Sequence, residues 1–261
     1  MVRFSVGLAG FIVFSAAMFA QTVDKKAILK QARQSYYSLK SEGLAEFGCT
    51  LEPNWDALLA DLKKTDPTAA AAAVRKLNQL HFQMTFVPGS DAKLTHNELS
   101  AENATMADGL KQVYSGMEQM TVGFFQTWTA FVLSPSFPEP ESDYQLEDLG
   151  TTYRLTYKEG AATDVVTTMG KDLVISSLKV NTKEFQSTIW PQFTRTPKGF
   201  LLSGYQATYA GATPAETTEL HIVIDYQLAG GFQVPKKMNL KGSYGGSPFD
   251  VEVAFTNCQA H

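Results

Sequence analysis

The chain has 261 residues, of which 44% are hydrophobic and 18% charged, and its formal net charge is −4 at pH 7. This mild acidity argues against a nucleic-acid partner and against anionic membrane surfaces, because both attract basic patches. The length suits one domain with a sizeable core better than two independent domains.

The first 20 residues are predicted to be a secretory signal peptide. Arg3 precedes an almost uncharged apolar run from Phe4 to Phe19, and the small residue Ala20 follows it. That order is typical of a signal peptide, and the run is shorter than the roughly 20 residues that span a bilayer. We therefore expect cleavage after Ala20, a periplasmic or secreted bacterial protein, and a mature domain, 21–261, without an integral membrane segment.

Two cysteines, Cys49 and Cys258, lie far apart in the mature chain. In an oxidising compartment we expect them to form a disulfide, with two buried free thiols as the alternative. No pair of Cys or His residues has the spacing of metal ligands, and no phosphate loop or dinucleotide motif occurs. The sequence therefore predicts no metal site and no cofactor.

Helical patterns are confined to the first half of the chain. We expect a helix over 24–40, a strand over 44–51, and a helical hairpin over about 53–80 whose two helices are capped by Asn54 and Asp66. Such capping residues accept hydrogen bonds from the first free N–H groups of a helix.

A longer helix is predicted over about 103–133, with Ser100 as its cap. Its large apolar residues recur at steps of three or four and form one stripe. The stripe consists of Met106, Leu110, Val113, Met117, Met120, Phe124, Trp128 and Phe131. Small residues recur every seven positions beside it, namely Gly109, Gly116, Gly123 and Ala130. Each Gly costs about 1 kcal/mol of helix propensity relative to Ala. The glycines are therefore expected either to allow close packing of the helix or to leave space for a ligand between helix and sheet.

From Tyr144 onward, alternating apolar and polar residues with regular turn signals predict an antiparallel meander. Two shorter strands are expected earlier, over 82–86 and 93–97. The later strands are expected over 144–149, 152–157, 163–169, 173–181, 187–194, 200–209, 218–228, 236–244 and 249–257. The predicted fold class is therefore α+β, a long antiparallel sheet with helices packed on one face.

No catalytic motif is evident in the sequence. The Gly-x-Ser-x-Gly pattern of serine hydrolases is absent, and His81, His96 and His221 belong to no paired motif. The carboxylates Glu139 and Glu141 lie in a Pro-rich stretch where solvated charge is the ordinary state. We therefore do not expect an enzyme, and an unrecognised hydrolase stays a third alternative.

The closing stretch carries a resemblance to a known family. Residues 231–238, the glycine pair 245–246 and residues 251–255 are similar to the late hairpin of the LolA/LppX family of periplasmic lipoprotein and lipid carriers. The order of a first helix, a strand and then a mostly antiparallel sheet also resembles that family. The similarity covers the two ends of the chain, and the large helical insertions and the cysteine pair depart from it.

The resemblance implies a half-barrel whose concave apolar face holds acyl chains beneath a lid of helices. The candidate cavity lining, which could equally fill a solid core, is Met117, Met120, Phe124, Trp128, Phe131, Tyr153, Leu155 and Trp190. An arginine on a strand can latch the lid in such carriers, which makes Arg154 and Arg195 latch candidates. The alternative for both arginines is an ordinary surface ion pair.

The leading hypothesis is a non-catalytic carrier or binding protein for a lipid, a lipoprotein acyl chain or another apolar ligand. The alternative is a structural or protein-interaction domain with a filled core. Such a domain would bind a partner at the cell envelope through its sheet edges or through residues 134–143.

Overall fold

The computed structural model describes residues 24–135, 137–138, 141–160, 162–183, 185–210, 217–244 and 246–261, and the predicted signal peptide lies outside them. The helices are α1 (Lys25–Gln34), α2 (Trp55–Leu58), α3 (Ala60–Thr65), α4 (Pro67–Leu77) and α5 (Ala104–Val132). The strands are β1 (Phe47–Pro53), β2 (Phe82–Phe86), β3 (Lys93–His96), β4 (Tyr144–Asp148), β5 (Thr152–Glu159), β6 (Thr163–Gly170), β7 (Ile175–Asn181), β8 (Gln186–Thr196), β9 (Gly199–Ala210), β10 (Thr218–Ala229), β11 (Phe232–Tyr244) and β12 (Ser247–Ala260).

All of these strands form one antiparallel sheet in the order β3-β2-β1-β12-β11-β10-β9-β8-β7-β6-β5-β4. From β4 to β12 each strand pairs with the next along the chain, and β12 then pairs with β1. The sheet does not close, so β3 and β4 are its edges, and α5 is the segment that connects them. The predicted α+β half-barrel with helices against the sheet is confirmed.

The disulfide joins the two strands at which the ends of the domain meet. Cys49 of β1 and Cys258 of β12 are bonded and lie 209 residues apart in the chain. The side-chain amide of Gln227 donates hydrogen bonds to the carbonyls of Pro235 and Phe255, at 3.0 and 2.7 Å, beside this bond. The predicted pairing is therefore present in the fold.

The first helix is shorter than its apolar pattern predicts. It ends at Gln34 rather than Lys40, because Tyr36 leaves the helix and enters the core at 4% exposure. The Tyr36 hydroxyl donates to the Leu173 carbonyl at 2.8 Å and accepts from the Ile175 N–H at 2.7 Å. These two bonds satisfy the buried hydroxyl and fix the chain against the loop before β7.

The predicted caps of the helical hairpin are confirmed, whereas that of α5 is wrong. Asn54 accepts from the Ala57 N–H, and Asp66 accepts from the Ala69 N–H. Helix α5 is capped by Asn103 rather than Ser100, and within the described chain no helix is long and apolar enough to cross a membrane.

One face of α5 packs on the strands at the β1 side of the sheet. The Trp128 ring lies 5.9 Å from Phe47 of β1 and 6.3 Å from Phe86 of β2, and the Phe125 ring lies 5.8 Å from Phe47. Closer to the start of α5, Tyr114 stacks on His96 of β3 at 4.0 Å. This packing fixes α5 along the β1–β3 side and leaves its other flank facing β9–β12.

Candidate ligand-binding cleft

A cavity of about 680 Å³ lies between α5 and the strands β9–β12. The α5 wall includes Gly109, Gly116 and Gly123 as well as predicted lining residues. Apolar side chains on three strands form the facing wall, and they are Leu220, Ile222, Leu240, Phe249 and Val251. The side chains of Trp55 and Leu58 in α2 complete the lining, and Leu58 is 39% exposed.

The glycines of α5 border open space rather than a packed neighbour. A Cβ added at Gly109, Gly116 or Gly123 would meet no heavy atom within 4 Å outside the helix itself. Close packing is therefore not the reason for the seven-residue glycine spacing. The glycines instead widen the cleft, because any side chain in their place would project from the helix into it.

The polar part of the lining consists of uncharged groups. Gln112 and Gln119 lie one heptad apart on α5, and Thr218 begins β10 on the opposite wall. Amide and hydroxyl groups can both donate and accept hydrogen bonds. The described part of the lining can therefore bind hydroxyl, ester or amide groups of a ligand without an ionic partner.

A buried cluster of hydroxyl groups adjoins the cleft. The indole N–H of Trp128 donates to the Tyr226 hydroxyl at 2.9 Å, and the Thr127 and Tyr209 hydroxyls lie 2.9 Å apart. Burial raises the pKa of the Tyr226 phenol far above its usual value of 10.0. The phenol therefore stays neutral at physiological pH and acts as a hydrogen-bonding group rather than a base.

Tyr205 is the member of this cluster that lines the cleft. The residue is 0% exposed, and among the described residues its hydroxyl forms no hydrogen bond of good geometry. The Thr127 hydroxyl lies close enough to lower the pKa of Tyr205, but burial has the larger effect and raises that pKa well above 10.0. An unpaired buried hydroxyl costs about 1–3 kcal/mol.

The predicted cavity residues of α5 divide into two groups. Met117, Met120 and Phe124 line the cleft, as the apolar stripe suggested. Trp128 and Phe131 lie one and two turns further on, at 0% and 1% exposure, and are outside the lining. They are packed into the core because the aromatic side chains of β1, β2 and β8 fill the space beside this half of the helix.

The three predicted lining residues on strands lie elsewhere. Leu155 is completely buried in the core, and Tyr153 is half-buried with the Lys171 ammonium 3.6 Å from its ring centre. Trp190 is 44% exposed, whereas its neighbour Ile189 is 5% exposed, so Trp190 points to the opposite face of the sheet. Successive strand residues alternate between faces, and an error of one position therefore reverses the assignment.

Neither latch candidate lines the cleft. Arg154 pairs with Glu147 of the neighbouring strand at 3.4 Å, and both side chains are about half exposed. The guanidinium of Arg195 lies 5.0 Å from the Phe200 ring. A different arginine connects helix and loop, because Arg33 of α1 donates to the carbonyls of Phe137 and Pro138 at 3.2 and 2.7 Å.

Several lining residues were missed by the sequence analysis. Leu240, Phe249 and Val251 lie on strands whose apolar and polar residues alternate, but alternation alone does not separate a cleft from a filled core. Trp55 and Leu58 lie on the first helix of the predicted hairpin. Only the contact of that helix with β12 places them at the cleft.

The described residues contain no cluster of three or more His, Cys, Asp or Glu side chains that could hold a metal ion. Carboxylates with a lowered pKa are surface groups: hydrogen bonds from Lys171 lower the pKa of Asp148, and those from Lys237 lower the pKa of Glu252. Surface ion pairs account for these shifts.

No protein-family model, curated protein or solved structure matches this chain. The resemblance to the LolA/LppX family therefore stays a prediction.

Proposed function

We propose that this protein is an exported carrier or binding protein for a lipid or similar apolar ligand, and that the ligand binds between α5 and β9–β12. The observation that carries this proposal is the unfilled apolar cleft beside Gly109, Gly116 and Gly123. The three glycines are exposed, so the cleft opens to solvent beside them. Concave, mostly apolar clefts with a small number of polar groups are where small ligands ordinarily bind.

The chemistry of the walls supports an apolar ligand. Most lining residues are Met, Phe, Leu, Ile or Val, and burying apolar surface contributes about 25 cal/mol per Å². Met117 and Met120 add adaptable side chains, which suit ligands of irregular shape. A pocket of this size and character falls within the range of small-molecule sites.

An exported location fits the disulfide. Disulfides persist in oxidising compartments such as the periplasm and the extracellular space, and the Cys49–Cys258 bond joins the two ends of the domain. The predicted signal peptide would deliver the chain to such a compartment.

The test begins with protein purified from a bacterial periplasm and analysed by native mass spectrometry, followed by organic extraction. We expect a bound lipid. A protein that is empty, and that also takes up no fluorescent fatty acid or monoacylglycerol, would contradict the proposal and favour the interaction domain.

A pair of variants ties binding to the cleft. Gly116→Leu should place an apolar side chain beside the cleft, and its Cβ meets nothing within 4 Å. We expect it to lower lipid binding at least tenfold while the fold stays intact. Gln126→Leu is the control, since it places the same side chain at an exposed position of α5 outside the lining. Equal binding by both variants would place the site elsewhere.

A further inference from the structure

We infer that the ligand of the cleft is a lipid with one acyl chain and an uncharged, hydrogen-bonding head, of the chemical class of the monoacylglycerols. The inference rests on the proposed function and adds the chain number and the charge of the ligand. Three features of the cleft carry it: its volume, the length of its helical wall and its polar groups.

The volume of the cleft is sufficient for one acyl chain. If a methylene takes about 30 Å³, the share of a water molecule in the liquid, a 16-carbon chain needs roughly 480 Å³. The cleft holds about 680 Å³ and is open to solvent beside the exposed residues Gln112 and Gln119. The number of chains therefore follows from the length of the wall and not from the volume.

The length of the α5 wall fits one acyl chain. Gly109 and Gly123 lie two heptads apart on α5, and a helix rises 1.5 Å per residue, which places them about 21 Å apart. One lipid chain spans about 15 Å, half the hydrocarbon thickness of a bilayer. A single chain laid along the glycines therefore leaves about one helical turn of wall for the head, beside Gln112 at one end or beside Gln119 at the other.

The polar groups suit an uncharged head. Gln112 and Gln119 are exposed residues of the α5 wall, and Thr218 faces them from β10. Their amide and hydroxyl groups match the donors and acceptors of a glycerol ester. The described lining contains no Lys, Arg or His that could pair with a carboxylate or phosphate head, and withdrawing such a charge from water without a paired cation is unfavourable.

The overall charge of the chain also favours an uncharged ligand. With 26 acidic and 22 basic residues the chain carries a formal charge of −4, and a protein of negative charge repels an anionic ligand at low ionic strength. Between two lipids with the same chain, the cleft should therefore prefer the uncharged one.

The experiment is a direct competition. Protein stripped of bound lipid is incubated with an equimolar mixture of monopalmitoylglycerol, palmitic acid and dipalmitoylglycerol, and the adducts are counted by native mass spectrometry at pH 7.5. We expect at least a tenfold preference for monopalmitoylglycerol over each of the others. Equal or stronger binding of palmitic acid or of dipalmitoylglycerol would overturn the inference and leave the proposed function standing. Absence of all three adducts would overturn both.

Two further variants test the role of the amides. In Gln112→Leu combined with Gln119→Leu, the preference for monopalmitoylglycerol over palmitic acid should fall below about threefold, while palmitic acid still binds. Gln126→Leu is the matched control, because Gln126 is an exposed glutamine of α5 outside the lining. An unchanged preference in the double variant would overturn the assigned role of the amides.

Discussion

The two halves of α5 differ in what surrounds them. In the second half, Trp128, Phe131 and Val132 are at most 1% exposed and are enclosed by aromatic residues of the sheet. In the first half, Gly109 and Gly116 border open space. One continuous helix therefore serves as core at one end and as the wall of a cleft at the other.

This difference shows how a fold can keep an apolar space open. The packed half holds the helix in place through dispersion contacts and two partly buried side-chain hydrogen bonds, at Thr127 and Trp128. The other half is held on one side by buried Leu110 and by the stacking of Tyr114 on His96, while its glycines border the cleft. Stability and binding are assigned to different turns of the same element, and they should respond to different substitutions.

The largest expected effect is at the packed half. Trp128→Ala should lower the free energy of unfolding by about 3–5 kcal/mol, since it removes a fully buried ring and leaves the Tyr226 hydroxyl unpaired. Urea unfolding measures the change. Met120→Ala, at the half-buried cleft wall, should cost less than about 1.5 kcal/mol. Equal costs would refute the contrast between the two halves.

The disulfide joins β1, which packs on the second half of α5, to β12, which lines the cleft. Replacing Cys49 and Cys258 by alanine should lower the free energy of unfolding by about 2–5 kcal/mol, as expected for a long closed loop. Dithiothreitol should destabilise the original protein by a similar amount and leave the double variant unaffected. A response of the variant to the reductant would contradict the assignment.

A smaller effect is expected at alkaline pH. The pKa of Tyr226 is raised in the folded state by burial, whereas an unfolded tyrosine titrates near 10. The contribution of Tyr226 to stability is therefore complete below about pH 10 and is lost progressively as the pH rises above it. Tyr226→Phe should cost about 1–3 kcal/mol at pH 7, because the Trp128 N–H loses its acceptor. Between pH 9 and 11 the free energy of unfolding of the Tyr226→Phe variant should fall less steeply than that of the original protein. Parallel pH profiles of the two proteins would contradict this account.

The smallest expected effect is an increase in stability. Gly109→Ala and Gly116→Ala should each raise the free energy of unfolding by about 1 kcal/mol, since alanine favours the helix and a Cβ meets nothing there. Gly204→Ala is the opposite control, because its Cβ would clash with the Ile222 carbonyl oxygen in the neighbouring strand. Destabilisation by the α5 substitutions would show that the cleft is closed in solution.

Local patterns were sufficient for most of the sheet. Strand β8 was expected over 187–194 and is found at Gln186–Thr196, and β12 was expected over 249–257 and is found at Ser247–Ala260. Alternation of apolar and polar residues is imposed by the geometry of a single strand, so it can be recognised without knowing the partners. The caps at Asn54 and Asp66 are local for the same reason.

Local patterns failed where a residue's surroundings come from distant parts of the chain. The pattern of α1 continued through Tyr36, but hydrogen bonds to Leu173 and Ile175 take that residue out of the helix. Trp190 was assigned to the wrong face, and Arg154 binds the adjacent strand instead of latching a helix.

By itself the sequence determined the class of fold and the positions of most strands of the sheet, because both follow from periodicity. It favoured a Cys49–Cys258 disulfide over two free thiols, because the chain has only two cysteines. It also showed that α5 gives up helix propensity at regular intervals. Only the tertiary structure decided that Gly116 faces an empty cleft and that Trp128 lies in a filled core. Whether apolar residues enclose a space or fill it depends on the distance between a helix and a sheet. That distance is set by side chains remote in the sequence, which pack on the other face of the helix.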